Sequence, residues 1–434
     1  MRRLAGLCLA LAACGGAVAE APGAGEPADA AVPDAGATDA GATDAGTTDA
    51  GMQNDVGISD AGPVLHAGVL AGIQGLRYVS GAASGVTDAQ GVFQWEEGAR
   101  VAFYAGGLEL AAVQPAPLLT PFALSGSCAA GPLLRKLLVL LATLDGASPD
   151  PALLAGKKLA DIDLAAALAQ LAPGKAIADE NAAVDRFIAQ VDEEDWQQTG
   201  EDRFSLQDSA TRSQGVDTGG ASYWFSWRFG LSRTALDYSV QASKAQAIPA
   251  QLLLEGINHI GDITVRDGTL YAPLEDGSKF KHPRVAFFDA QTLQFRSSVT
   301  LDLALQPDGV PWLTVWDGML VTSRWDPAAE LHLWDMGGGF LRALPLRPAQ
   351  GRIQGAKEQH GMLYATRDSD PKMVLKINLE TGTVLELFPV PDTKEIEGIA
   401  VLGESLHTLG VISGGSELRH WKRVRPPLRE QVCR

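Results

Sequence analysis

Long hydrophobic runs are missing from this chain of 434 residues, and with them any segment able to cross a membrane as a helix. The two most apolar stretches, residues 4–13 and 133–144, are each about a dozen residues or fewer, whereas a bilayer core about 30 Å thick needs about 20. Positive charge is also scarce: 35 Lys and Arg stand against 52 Asp and Glu, a net charge of −17, and no basic cluster offers a nucleic-acid surface. The sequence holds no His-Glu-x-x-His, no Cys-x-x-Cys, no Gly-x-Ser-x-Gly and no phosphate-cradling Gly-rich loop ending in Gly-Lys-Ser/Thr. Zinc peptidase, dithiol redox, serine hydrolase and nucleotide chemistry therefore lack their carriers. Ser278-Lys279-Phe280-Lys281 matches a Ser-x-x-Lys pattern without its companion motifs. His66, His259, His282, His332, His360, His407 and His420 are scattered and suit strand and turn positions better than a ligand set.

What is present begins with a basic Met1-Arg2-Arg3 and the apolar run 4–13, the pattern of an export signal. Leu11-Ala12-Ala13-Cys14 resembles the lipobox of bacterial lipoproteins. The resemblance implies a signal peptide over 1–13, lipid on Cys14, and, with Gly15 rather than Asp following, attachment to the outer membrane on its periplasmic or outer face. From 15 to 63 there is no Lys or Arg, and Asp-Ala-Gly recurs from Asp34, Asp39, Asp44 and Asp49. Such a run buries too little apolar surface to offset chain entropy and repels itself, so residues 14–63 are expected to form a disordered tether.

The second half is a repeat. Ile260-Gly261-Asp262-Ile263-Thr264-Val265 precedes Asp267-Gly268-Thr269-Leu270-Tyr271. Trp312-Leu313-Thr314-Val315-Trp316 precedes Asp317-Gly318-Met319-Leu320-Val321. Gln354-Gly355 leads to His360-Gly361-Met362-Leu363-Tyr364, and Glu397-Gly398-Ile399-Ala400-Val401 to Gly403-Glu404-Ser405-Leu406-His407. Gln214-Gly215, ahead of Tyr223-Trp224-Phe225-Ser226, is a fainter fifth copy. The period of roughly 40 to 50 residues is that of propeller blades. Asp-Gly supplies the positive φ of a two-residue hairpin turn, and Val285–Asp289, Leu331–Asp335 and Val374–Asn378 read as matching third strands. Closing such a ring requires a strand from before the first copy, and Arg203-Phe204-Ser205-Leu206 is placed to pair with 418–424.

The fold class expected is mainly β: a five-bladed β-propeller over 201–434, preceded by a β-sandwich-like module over 64–120 and a helical segment over 121–200. The Gly-Val-Thr-Asp-x-x-Gly-x-Phe pattern from Gly85 to Phe93 resembles carboxypeptidase-regulatory or prealbumin-like modules, which implies a spacer or binding platform. Helices are expected at 133–144, 152–159, 163–171 and 181–192, with Asp192-Glu193-Glu194-Asp195 a solvated helix end. Of four cysteines, the lipobox resemblance implies that Cys8 leaves with the signal and that Cys14 would be lipidated. Cys128 and Cys433 remain, either bonded to each other or both free.

Matching repeat positions converge on one axis. Gln214, Ile260, Trp312, Gln354 and Glu397 occupy the anchor position, with Asn258, His259, Asp262, Glu358 and Glu395 nearby. Gln214, Asp262, Trp312, Gln354, Glu395 and Glu397 are the candidate ligand-binding residues. The repeat resembles SMP-30/gluconolactonase-like and NHL-type propellers. That resemblance implies a divalent metal at the axis, Ca2+ or another, with Glu397 and Asp262 among its ligands, although the count here is five rather than six. Glutaminyl-cyclase propellers share five blades, but the position of their first-blade acid carries Gln214 here. A binding protein for a small-molecule or protein ligand, attached to the membrane through its lipid, is thus the first reading. A metal-dependent lactone or ester hydrolase is the second, and a structural envelope protein the third.

Overall fold

A computed structural model describes residues 62–277 and 279–433. The lipobox with Cys14, most of the tether and Ser278 lie outside the described residues. The described part, within the compact unit Ala61–Arg434, is mainly β and built from many small sheets.

The N-terminal portion has two sheets. One orders Val92–Glu96, Leu65–Leu70 and Leu118–Leu119; the other orders Ala83–Val86, Arg77–Ser80, Val101–Ala105 and Leu108–Val113. Helices Pro121–Ser125, Pro132–Leu144, Leu164–Leu171 and Glu180–Asp192 share one core with them, centred on Phe93, Phe103, Leu140, Val184 and Ile188. Asp163 and Asp179 cap the last two helices by accepting from Ala166 N and Ala182 N, so each starts within a residue of its expected position. The helix expected at 152–159 is instead a series of turns followed by the 3-10 turn Leu159–Asp161. Leu154 in that stretch holds a positive φ of 57°, which an α-helix does not admit.

Five further sheets follow, and their inner strands are Gly215–Thr218, Thr264–Arg266 (with His259–Ile260), Thr314–Trp316, Ile353–Gln359 and Glu395–Leu402. Each inner strand neighbours the next, and the fifth neighbours the first, so the sheets form a closed cycle. Five apolar cores fill the gaps between successive sheets, the last one joining Leu409 and Leu418 of the fifth to Val216 and Phe225 of the first. The hairpin turns follow from sequence: φ is positive at Asp267 and Gly268, at Asp317 and Gly318, and at His360 and Gly361. Asp289 accepts from Thr292 N at 2.8 Å and Asn378 from Thr381 N at 3.0 Å, the side-chain turns expected before the fourth strands.

The cycle is completed by Asp195–Ser205, which pairs antiparallel with Gly415–Arg425, Phe204 opposite Ser416. Arg203, Phe204 and Ser205 thus lie where closure requires them, but the strand starts at Asp195, inside the segment expected to be helical. This moves the acidic run out of solvent. Asp192 and Glu194 are buried while Glu193 and Asp195 face outward, the alternation of an extended chain. Lys376 Nζ donates to Asp192 O (2.9 Å) and pairs with Glu194 (3.2 Å); Arg429 Nε donates to Asp192 Oδ1 (2.6 Å). Arg347 grips Asp185 through two parallel bonds of 2.9 and 2.8 Å. Cys128 and Cys433 are bonded, with Cα atoms 5.8 Å apart.

Phe204 carries much of the closure: it is buried, meets Phe225 and Tyr238 edge-on, and lies under the Arg212 guanidinium. Phe204→Ala is expected to cost about 3–5 kcal/mol in urea unfolding. A cost below about 1 kcal/mol would mean that the closing strand contributes little to the ring.

Candidate functional site

Inner strands of a closed ring have one edge without a neighbour, and the backbone donors there must find partners inside the protein. Asp262 supplies several. It sits fully buried in the link between Ile260 and Thr264, Oδ1 accepting from Val216 N of the first sheet (3.1 Å) and Oδ2 from Ala356 N of the fourth (3.1 Å). Oδ2 also receives Lys357 Nζ at 2.5 Å. Asp217 accepts from Val265 N (2.6 Å) and Thr218 N (2.8 Å). Thr314 Oγ1 accepts from Glu358 N (3.2 Å), and Thr264 Oγ1 donates to Leu313 O (2.8 Å). Asp262, Asp217 and Lys357 thus commit their polar atoms to the inner strands and to one another.

This packing explains the repeat's anchor glycines. A Cβ on Gly215 would lie 2.6 Å from Asp262 Cα, and one on Gly398 would lie 2.8 Å from Val216 N and 2.9 Å from Gly215 Cα. Backbones approach too closely there for any side chain.

Two buried carboxyls share the one ammonium of Lys357, which leaves the axis acidic. Burial raises both, Asp262 to about 7 and Asp217 to about 6, with Lys357 pulling the other way. Glu397 is raised well above the carboxylate range, first by burial and then by Glu395, with which it shares a hydrogen bond; Asp368 and Asp262 add to the effect. Burial and the neighbouring carboxyls thus make Glu397 hold its proton more tightly than an exposed glutamate would.

The inner strands all begin on one face of the ring. Glu395 is exposed there, and Gln214, Asn258, His259 and Gln354 are half-buried. His259 Nε2 is 2.7 Å from Gln214 Oε1, and its Nδ1 lies 3.0 Å from Glu275 Oε1 without hydrogen-bond alignment. Asn258 Oδ1 accepts from Gly277 N. Glu358 turns to the other end, where it meets Arg266 at 2.7 Å.

Of the sequence candidates, Gln214, Gln354, Glu395 and Glu397 thus lie at the mouth and Asp262 within the axis. Trp312 does not: it is fully buried in the core between the third and fourth sheets, its Nε1 donating to Ser323 Oγ. Ile260 is likewise core. Asp262, expected to hold a metal with Glu397, is engaged by Lys357 and two backbone amides. Among the described residues no three His, Cys, Asp or Glu side chains converge on one ion-sized site. Lys357, Asp217 and Asp368 were not anticipated; for the first, the available signal was a lysine two residues after the anchor Gly355, where the other repeats carry Asp217, Ile263, Val315 and Ala400.

No family model matches the chain, and no curated protein matches it. Among solved structures it is similar to the glutaminyl cyclase of Myxococcus xanthus, at 15% identity and a TM-score of 0.40 over 54% of this chain and 99% of that one. It is similar to a protein of unknown function from Bacteroides caccae, at 12% identity and a TM-score of 0.30 over 45% and 69% of the two chains. It is also similar to BamB from Moraxella catarrhalis, at 13% identity and a TM-score of 0.27 over 50% and 61%. The likeness is one of propeller-like fold alone.

The raised axial carboxyls set a pH dependence. A group whose pKa rises on folding stabilises the fold below its unfolded value, and that stability is lost as pH rises through the folded value. For Asp217 and Asp262 the window runs from about pH 4 to about 7. Urea unfolding is expected to show stability falling by roughly 1–4 kcal/mol from pH 5 to 8. Asp217→Asn should remove about 1 kcal/mol of that slope while lowering stability at every pH, because an amide cannot accept both backbone bonds. A slope of the opposite sign in the wild type would refute this picture of the axis.

Proposed function

We propose that this chain is an exported lipoprotein, acylated at Cys14 and tethered to the outer membrane by residues 14–63, that presents a five-bladed β-propeller for binding a protein or small-molecule ligand. Residues 64–120 are the β-sandwich-like spacer and 121–200 the helical extension that docks it on the ring. The observation that carries the binding reading is the commitment of the axial carboxyls to the ring itself. Asp262 and Asp217 are committed to backbone amides and Lys357, so they hold the ring together and leave ligand contact to the mouth. There Glu395 faces solvent, with Gln214 and Gln354 half-buried at the matching positions of two other inner strands, a surface suited to a cationic group. In the metal-dependent hydrolase reading Asp262 would be a ligand, and its engagement by Lys357 supports binding over hydrolysis.

Two variants test the mouth. Glu395→Gln removes an exposed carboxyl, whereas Glu397→Gln replaces a buried carboxyl with a near-isosteric amide. With a hexalysine peptide as probe in calorimetry, Glu395→Gln should weaken binding about tenfold and Glu397→Gln less than about threefold. Equal, undetectable binding by wild type and both variants would reject the mouth as a cation-binding surface, and added Ca2+ raising the melting temperature only when Glu397 is present would restore the metal reading. Attachment is tested separately: Cys14→Ser should move the protein from the detergent-soluble membrane fraction to the soluble export fraction, and unchanged fractionation would remove the lipoprotein reading.

A further inference from the structure

Outside the axis, one cluster aligns metal-binding groups. His407, on strand Ser405–Ile412, and His420, on Gly415–Arg425, are direct partners across the ladder of the fifth sheet, and their Nδ1 atoms lie 2.7 Å apart. Behind His420, its Nε2 is 2.9 Å from Asp202 Oδ2, which also receives the Tyr238 hydroxyl at 2.5 Å. A carboxylate on the far nitrogen fixes the tautomer: Nε2 carries the proton and Nδ1 presents its lone pair toward His407. Without a metal, His407 answers by donating its Nδ1 proton. Both rings are half-buried rather than sealed, so an ion can reach them.

We propose that His407 and His420 form a two-imidazole site for a divalent transition-metal ion of the Zn2+, Ni2+ or Cu2+ class, with Asp202 as the residue that positions His420. On binding, the His407 proton moves from Nδ1 to Nε2 through solvent, so that both Nδ1 lone pairs face the ion and no proton is lost. Metal–nitrogen bonds of about 2.0–2.1 Å at a tetrahedral angle need the nitrogens about 3.3 Å apart, a small rotation from their present separation. Imidazole pairs favour these ions over Ca2+ or Mg2+, which prefer oxygen. Since no third His, Cys, Asp or Glu among the described residues joins the pair, water or a ligand donor completes the coordination.

The location gives the site a role. Asp202 belongs to the closing strand Asp195–Ser205, the two histidines to the last sheet, and Tyr238, hydrogen-bonded to Asp202, to the loop between Gly230–Thr234 and Val240–Lys244 of the first sheet. An ion here braces the point where the ring closes. The inference does not depend on what binds at the axial mouth.

Zn2+ titration of the full chain, followed by calorimetry and thermal melting, tests it. The expected result is saturable binding with a rise in melting temperature. His407→Asn and His420→Asn should each weaken binding at least tenfold, Asp202→Asn by about tenfold or more, and the control His66→Asn not at all. Cu2+ bound to the wild type should show hyperfine coupling to two nitrogens in its electron paramagnetic resonance spectrum, which decides the matter even where a variant fails to fold. Zn2+ affinity unchanged in both histidine variants, no binding below about 1 mM, or a Cu2+ spectrum with fewer than two coupled nitrogens would overturn the site.

Discussion

Five inner strand edges that face one another in a closed ring create a demand that the rest of this structure answers: backbone donors on those edges are buried, and no further strand can reach them. Asp262 answers for two sheets at once, binding Val216 N and Ala356 N. Asp217 and Thr314 answer for others through Val265 N and Glu358 N. Carboxylates are strong acceptors for amides, but burying two of them costs more than burying one ion pair. Lys357 neutralises part of the charge, and protonation meets the remainder, as the upward shifts of Asp262 and Asp217 express. The same crowding dictates glycine at Gly215, Gly355 and Gly398, where strand backbones pass within van der Waals contact of Asp262.

Ring closure obeys a second constraint. A sheet left with three strands would expose a long edge, so the chain sends Asp195–Ser205 to the outside of the last sheet before the first one begins. That detour fixes where the N-terminal portion must sit, because Glu180–Asp192 ends directly at the closing strand. The junction is accordingly held by charge. Glu194 lies between Lys376 and Arg423, and Asp192 between Asn378 and Arg429. Buried ion pairs add little net stability but penalise every arrangement that separates them, so this network acts chiefly to specify one docking geometry. The Cys128 to Cys433 bond closes the same junction from the C-terminal side.

The sequence made the strands legible because a hairpin is a local event: Asp267-Gly268 and Asp317-Gly318 set the turn, and alternation set the faces. Closure through Arg203 to Ser205 was legible for a different reason, since an unpaired edge is a topological problem that needs only counting. What escaped detection depends on contacts distant in sequence. Nothing near Asp192-Glu193-Glu194-Asp195 announces Lys376 or Arg429, so the run looked solvated. Trp312 shared the anchor position of Gln214 and Gln354 but has a bulky apolar ring, and burial between sheets outweighed the register that would have turned it to the axis. Residues 152–159 had helical composition, yet Pro151 ahead of them and the positive φ of Leu154 belong to turns that return the chain beneath Gly107.

The axial network also bears on where chemistry can occur. A carboxyl that satisfies backbone donors is held in place, and removing its lone pairs loosens two sheets together, so Asp262 is poorly placed to coordinate an ion. Glu397 differs, because its partner is Glu395, a side chain at the solvent edge, rather than a backbone amide. The layer at Asp262 is therefore fixed by the backbone's own requirements, whereas Glu397 and Glu395 answer chiefly to each other.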